Sequence, residues 1–320
     1  MDFQILISNL TNPTLLFFLL GVFATLVKSD LEIPASSSKF ISLYLLFSIG
    51  FKGGQELAHS NLGNEILYAV IFGILISSLI PFYCFFILKK KLGPQNAGAI
   101  AAAYGSVSAV TFVSAVSFLE AQKIEFGGHM VAVMALMEAP AIIVGVILLN
   151  KFQEEEAAKS KLGKVITHSF TNGSVLLIIG SMLIGWVADT KQAEGIKPFT
   201  TDIFKGFLAI FLMEMGIVAT KGFSTFRKSG IFLTAFAILI PAINGCLISY
   251  VSHWVTDSDG NRQVFAILAA SASYIAVPAA MRLAAPKANP GIYIPMALGV
   301  TFPFNITIGM PLYYLIIQST

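Results

Sequence analysis

Stretches of mostly apolar residues, each about as long as a membrane-spanning helix, recur from one end of the chain to the other. A helix needs roughly 20 mostly apolar residues to cross the hydrocarbon core of a bilayer. The pattern therefore predicts ten spans, whereas a transmembrane β-barrel would show short segments of alternating polarity. The predicted spans cover residues 13–27, 40–57, 66–88, 96–119, 128–149, 173–188, 201–220, 230–251, 263–283 and 291–317.

Composition supports the same class. Hydrophobic residues make up 56% of the 320 and charged residues only 12%, which is too little polar surface to cover a water-soluble globule of this size. The net charge is +3 and the basic residues are spread over loops, so nucleic acid is not an expected partner. Cys84 and Cys246 both fall inside predicted spans, where buried thiols usually pack rather than bind metal. The sequence predicts an all-α integral membrane protein.

Lysine and arginine are concentrated in alternate loops. Fourteen of the 20 lie in the set of loops that includes the charged segment 151–170. Because cytoplasmic loops carry the excess of positive charge, we predict that this segment lies in the cytoplasm and that both termini lie outside. The expected location is the inner (plasma) membrane.

The charged segment divides the chain into two similar halves, residues 1–150 and 171–320, joined by a cytoplasmic linker, 151–170. "TNPTLLFFLLG" matches "TNGSVLLIIG", "LFSIGFKGG" matches "LMEMGIVAT", and "SSLIPFYC" matches "AILIPAINGC", each about 160 residues apart. Each half holds five predicted spans. Because five is odd, the second half enters the membrane from the opposite side, and such inverted repeats are typical of secondary transporters.

The fourth and ninth spans are predicted to be broken near the middle of the membrane. Pro278 cannot donate a backbone hydrogen bond, so the ninth span should unwind near residues 274–277 and restart with Pro278 in its first turn. Gly105 can interrupt the fourth span similarly. The free N–H groups of each second half-helix would bind a small anion, unless the small residues only allow close helix packing. The predicted anion-site residues are Gly105, Ser106, Ser108, Ala109, Ser273, Ala276 and Val277.

Two carboxylates lie inside predicted spans and away from their ends, where an ionised group is costly and by default functional. Glu138, beside Pro140, is predicted to bind Na⁺ together with Asn305. Glu214 either belongs to an ion pathway or is a partner for Lys52 or for a hydroxyl group. The further predicted Na⁺ ligands are Ser271 and Thr111. "GSVSA" lacks the last glycine and the strand-to-helix setting of a serine nucleophile turn, so an enzyme is not predicted.

Four segments resemble the sodium-dependent bicarbonate transporters of cyanobacteria, and the resemblance covers nearly the whole chain. They are "SDLEIPASSSKFISLYLLFSIGFKGG", "YGSVSAVTFVSAVSFLEAQKI", "MEAPAIIV" and "VTFPFNITIGMPLYY". The resemblance implies a trimer of ten-helix protomers, each with a gate domain from spans 1, 2, 6 and 7 and a core domain from the other six, in which broken spans 4 and 9 cross. It also implies bicarbonate as substrate, Na⁺ as coupling ion, and a PII-like regulatory protein on the cytoplasmic side.

We therefore expect a secondary transporter that takes up bicarbonate with Na⁺ by an elevator-like form of alternating access. A Na⁺/H⁺ exchanger or a Na⁺-coupled organic-anion symporter of the same architecture stays open, although a larger substrate would need a roomier, more apolar crevice. A membrane receptor or scaffold is the alternative outside transport. It would not need polar residues at mid-membrane in both halves.

Overall fold

The computed structural model describes residues 11–59, 63–153, 162–226 and 230–320, and within these ranges the chain is helical and contains no β-strand. The main helices are α1 (Pro13–Leu26), α2 (Ala35–His59), α3 (Asn64–Gly105), α4 (Ala109–Ala121), α5 (His129–Phe152), α6 (Leu162–Phe170), α7 (Gly173–Val187), α8 (Thr190–Glu194), α9 (Phe204–Phe226), α10 (Ile231–Val251), α11 (Asp259–Ala270), α12 (Ala276–Ala284) and α13 (Pro290–Gln318).

Five helical stretches of the described chain are long and apolar enough to cross a membrane. They are Asn64–Ala121, His129–Phe152, Pro198–Gly222, Ile231–Trp254 and Pro290–Gln318. Two apolar helices, α1 and α7, are shorter. The all-helical membrane class is thus confirmed, and the arrangement of ten spans remains a prediction.

Predicted spans 66–88 and 96–119 are joined by a kink, not by a loop. Helix α3 runs through the first and into the second, and its backbone departs from helical geometry at Gly93, where φ is +72°. Glycine adopts this left-handed region without the strain that a side chain would impose. Pro94 then starts the next straight section, because a proline fits the first turn of a helix, where its missing N–H leaves no bond unmade. The chain therefore changes direction at a single residue, Gly93.

Glycines bring α1 against α9 and α2 against α7. A Cβ atom added at Gly216 of α9 would lie 2.1 Å from the Phe18 carbonyl oxygen of α1, and one added at Gly50 of α2 would lie 2.8 Å from the Ile178 carbonyl oxygen of α7. Small residues at such positions let helix backbones approach closely, which is how helices associate where there is no hydrophobic driving force between them. These four helices form two tightly packed pairs.

A second group of helices surrounds the most buried part of the chain. Helix α3 packs along α5, and α10 packs against α11 and α13. Helix α13 is not a regular α-helix throughout, because it contains two wider, π-type turns at Ala297–Thr301 and Asn305–Gly309. Such turns occur often at functional sites.

The linker predicted over residues 151–170 is shorter in the structure. Helix α5 continues to Phe152, residues 154–161 lie outside the described part, and Leu162–Phe170 form α6. Val165 and Ser169 of α6 are buried. The end of this segment therefore belongs to the packed structure, because its apolar residues recur at helical spacing and cover one face.

Candidate functional site

Regular helix is interrupted at two places that the sequence singled out. Helix α3 ends at Gly105 and α4 begins at Ala109, while α11 ends at Ala270 and α12 begins at Ala276. Pro278 lies in the first turn of α12, as expected. The second interruption starts at Ser271, a few residues earlier than the predicted 274–277.

The two interruptions contact each other directly. The Ser108 N–H donates to Ser271 Oγ at 3.0 Å, and the Ser273 N–H donates to the Ala103 carbonyl oxygen at 2.8 Å. Backbone groups buried away from water need partners, and these bonds supply them across the two halves of the chain. Non-helical backbone in one half is thus satisfied by the other half.

Gly105 has a role different from the one expected. It does not adopt the left-handed conformation that favours glycine, so backbone freedom is not the reason for its presence. A Cβ atom added there would lie 2.2 Å from Pro81 Cγ and 3.1 Å from Pro81 N. Gly105 allows the end of α3 to pack against the rigid proline ring of its own earlier section.

A small pocket lies between the interruptions, with a volume of about 20 Å³, room for one water-sized group. The first residues of α4 and α12, Ala109 and Ala276, both line it. The N–H groups in the first turn of a helix have no intrahelical partner and carry partial positive charge. Its other lining residues are Leu46, Val107, Ser108, Glu138, Ser174, Ser273, Tyr274 and Ile275.

Glu138 supplies the carboxyl group of this pocket. It is 7% exposed and lies two residues before Pro140 in α5. Within the described part of the chain its carboxylate makes no hydrogen bond and no ion pair. A buried carboxylate normally has such a partner, so this one can accept a cation.

Of the seven predicted anion-site residues, four line this pocket and three do not. Ser108, Ala109, Ser273 and Ala276 are the four. Gly105, Ser106 and Val277 are buried beside the interruptions without lining the pocket. The Ser106 hydroxyl has no hydrogen-bond partner among the described residues. The clustering of the four was visible in the sequence, but the direction of each side chain was not.

The four predicted Na⁺ ligands do not converge on one site. Glu138 lines the pocket, whereas Asn305 donates from Nδ2 to the Ala270 carbonyl oxygen at 2.7 Å. Ser271 Oγ donates to Leu268 O at 2.8 Å, and the Thr111 N–H donates to Ser108 Oγ at 3.2 Å. In the described part of the chain no three His, Cys, Asp or Glu side chains converge on one point. A Na⁺ ion beside Glu138 would therefore draw its other ligands from hydroxyl and carbonyl oxygens.

Lys52 is paired with Glu120 and not with Glu214. Its Nζ lies 3.5 Å from Glu120 Oε1, and Lys205 Nζ lies 3.1 Å from the other oxygen of the same carboxylate. Glu214 is buried, and its Oε2 has no hydrogen-bond partner among the described residues. Of the two partners predicted for Glu214, the structure places a hydroxyl group beside it, that of Ser38 near the start of α2, and not Lys52, which lies near the end of that helix.

A larger cavity, of about 500 Å³, lies near the Lys52–Glu120 pair. Its walls carry Lys52, Glu56, Glu120 and Glu125, and Val116 lines it from α4. The sequence did not predict this cavity, since its lining residues come from segments far apart in the chain. The sequence also missed Ser174 and Tyr274, although Ser174 follows the repeated "TN" that opens each half.

A buried pocket between helix starts that carries serine and glutamate side chains, in a helical membrane protein, is the arrangement found at the substrate sites of secondary transporters. The comparison with protein families agrees. The model of the Na⁺-dependent bicarbonate transporter superfamily matches residues 13–318, and the chain belongs to this superfamily. A comparison with curated protein sequences finds no match.

Membership confirms the resemblance seen in the sequence and the prediction that the chain is not an enzyme. It implies a membrane protein with Na⁺ and bicarbonate as substrates.

Proposed function

We propose that the chain takes up bicarbonate together with Na⁺ and that both bind at the small pocket, which has room for one water-sized group in this structure and widens to admit the two ions. One observation carries the proposal: an unpartnered, buried carboxylate, Glu138, lines the same pocket as the first residues of two helices, Ala109 and Ala276. The helix starts attract an anion, and the carboxylate repels it. The pocket combines both signs of charge in a very small volume.

This combination makes anion binding depend on a cation. Two like charges about 4 Å apart repel each other by about 4 kcal/mol at the effective dielectric constant near a protein surface. Bicarbonate would therefore bind poorly beside an ionised Glu138. A Na⁺ ion beside the carboxylate removes this repulsion and adds an attraction, so the two ions favour each other's binding. Coupling of this kind is reciprocal by thermodynamic necessity.

We further propose that the two halves are an inverted repeat. The same residue type caps the first helix of each half. Asn12 Oδ1 accepts the Thr14 N–H at the start of α1 at 3.0 Å. Asn172 Oδ1 accepts the Ser174 N–H at the start of α7 at 2.9 Å. In the alignment of the halves, Gly50 corresponds to Gly216 and Ile178 to Phe18. The contact of Gly216 with the Phe18 carbonyl therefore has its counterpart in the contact of Gly50 with the Ile178 carbonyl. Equivalent residues making equivalent contacts support a duplication.

An elevator-like motion is the transport mechanism that we propose. Helices α1, α2, α7 and α9 would form a fixed scaffold, and the remaining spans would form the mobile core. The pocket lies at the border, because Leu46 and Ser174 line it from the scaffold and Glu138 lines it from the core. Both ion pairs of Glu120 also cross this border. Partly exposed pairs contribute about 0–1 kcal/mol each, so they can break during the motion.

The larger cavity is the proposed entrance. Along α2, Leu46 lines the small pocket and Ile49 lines the cavity. Along α4, Ala109 lines the pocket and Val116 lines the cavity. The two spaces therefore follow the same α2–α4 interface. In the predicted orientation Lys52 lies on the outer side of the inner membrane, so the cavity would admit ions from outside. The trimer and the PII-like regulator remain predictions of the resemblance.

Equilibrium binding of labelled bicarbonate to the purified protein tests the proposed coupling. In Na⁺ the bicarbonate affinity should be at least about tenfold higher than in K⁺ at equal ionic strength, because only a bound cation relieves a repulsion of about 4 kcal/mol. Equal affinity in the two salts would contradict coupling at this pocket.

A further inference from the structure

Asn244 is a buried amide in the apolar helix α10 and had no role in the sequence analysis. It is 6% exposed and lies in "ILIPAINGC", three residues after Pro241. Its Nδ2 donates to the Ala269 carbonyl oxygen at 3.1 Å, and its Oδ1 accepts a hydrogen bond from the Tyr83 hydroxyl. Both ends of the amide are therefore used, and they connect α3, α10 and α11.

The Ala269 carbonyl belongs to the end of α11, where the small pocket begins. The last carbonyl groups of a helix have no intrahelical partner and need other donors when water is absent. Here each of the last three has one. Leu268 accepts from Ser271, while Ala269 and Ala270 accept from the side chains of Asn244 and Asn305, respectively. Only the last two depend on side chains from other helices.

The residues that follow this helix end form one wall of the pocket. Ser271 accepts the Ser108 N–H, the Ser273 N–H donates to Ala103, and Ser273 also lines the pocket. If the end of α11 shifts, these contacts shift with it, since only one to three residues separate them from Ala270. The position of the end of α11 therefore determines how Ser273 is placed in the wall of the pocket.

We propose that Asn244 is a positioning residue for the ion pocket, which it acts on through the end of α11. The proposal rests on the proposed function, because it assigns Asn244 to the site at which bicarbonate and Na⁺ bind. Tyr83 orients the amide by donating to its oxygen, which leaves the nitrogen directed at Ala269. Asn244 therefore links the first half of the chain to the interruption in the second half.

Replacing Asn244 by leucine keeps a side chain of similar length and removes both hydrogen bonds. The KM for bicarbonate should rise at least about fivefold, because a buried carbonyl is left without its donor, while the maximal rate per inserted molecule falls less. Tyr83→Phe keeps the Asn244 amide and should raise the KM about twofold. Ser249→Ala is the matched control on the same helix, because the Ser249 hydroxyl donates to the Gly245 carbonyl oxygen of its own helix, and its KM should equal that of the wild type.

A second measurement does not depend on transport. Cys84 and Cys246 are replaced by alanine, a single thiol is introduced by Ser273→Cys, and its reaction with a small membrane-permeant thiol reagent is followed. Modification of this thiol should be several-fold faster with Asn244→Leu and unchanged with Ser249→Ala. An unchanged KM together with unchanged modification would overturn the positioning role. A different pair of results would separate the two proposals. If the wild type neither binds nor transports bicarbonate, the proposed function is overturned. If Asn244→Leu still speeds modification of the introduced thiol, the positioning of the pocket by Asn244 holds.

Discussion

Replacing Glu138 by glutamine is expected to abolish most of the Na⁺ dependence of bicarbonate uptake. The neutral amide keeps the shape of the side chain and loses the charge that attracts Na⁺. Losing one partner of a buried charge pair costs about 3–5 kcal/mol, so the Na⁺ concentration for half-maximal uptake should rise by about 100-fold or more. Initial rates of labelled bicarbonate uptake over a series of Na⁺ concentrations measure this change.

The same substitution makes a second, opposite prediction. Without Na⁺, and at a pH at which Glu138 is ionised, the Glu138→Gln protein should bind bicarbonate more tightly than the wild type does, because the repelling carboxylate is gone. Glu194→Gln is the control, since Glu194 is exposed in α8 and lines neither the small pocket nor the larger cavity; it should leave the Na⁺ dependence nearly unchanged. Normal Na⁺ activation in Glu138→Gln, measured below saturation, would mean that Glu138 has a structural role and that Na⁺ binds elsewhere.

Ser108→Ala is expected to weaken bicarbonate binding by roughly 5–150-fold, which corresponds to about 1–3 kcal/mol for a hydrogen-bonding group lost from a buried site. The Ser108 residue lines the pocket at the start of α4, and its hydroxyl oxygen accepts the Thr111 N–H. Alanine therefore removes a pocket hydroxyl together with the cap of α4. The dissociation constant for labelled bicarbonate in saturating Na⁺ is the quantity to measure.

Two serines of the same helix provide controls. Ser114 Oγ donates to the Val110 carbonyl oxygen at 2.9 Å, and Ser117 Oγ lies 3.3 Å from Thr14 Oγ1. Neither lines the pocket. Ser114→Ala and Ser117→Ala should therefore change the bicarbonate affinity less than about twofold, which corresponds to a few tenths of a kcal/mol. Equal small losses at all three positions, in correctly inserted protein, would show that these serines serve helix packing alone.

The sequence predicted the helical membrane class because this follows from local chemistry, whereas the second interruption begins at Ser271, earlier than predicted. Apolar runs identify membrane helices, and Pro278 identifies the first turn of α12. The kink at Gly93 was missed, since a single glycine between two apolar runs looks the same as a short loop. The family resemblance was carried by segments spread over the whole chain, and the matched family confirms it.

The candidate site was predictable in its residue types and less so in its geometry. Ser108, Ser273 and Glu138 were chosen for polarity at mid-membrane, and they do line one pocket. Asn305 was chosen for the same reason, yet its amide holds the end of α11. Sequence polarity cannot distinguish these two uses of a buried amide, because which way it faces depends on packing between helices distant in the chain. Asn244 was missed for the same reason.

The most direct test of the central claim is uptake of labelled bicarbonate into proteoliposomes that contain the purified protein. An inward Na⁺ gradient should drive accumulation well above that of protein-free liposomes, and an equal K⁺ gradient should not. Under the same Na⁺ gradient the Glu138→Gln protein should take up bicarbonate slowly. Uptake that is the same in Na⁺, in K⁺ and without any gradient would contradict Na⁺-coupled bicarbonate transport by this protein.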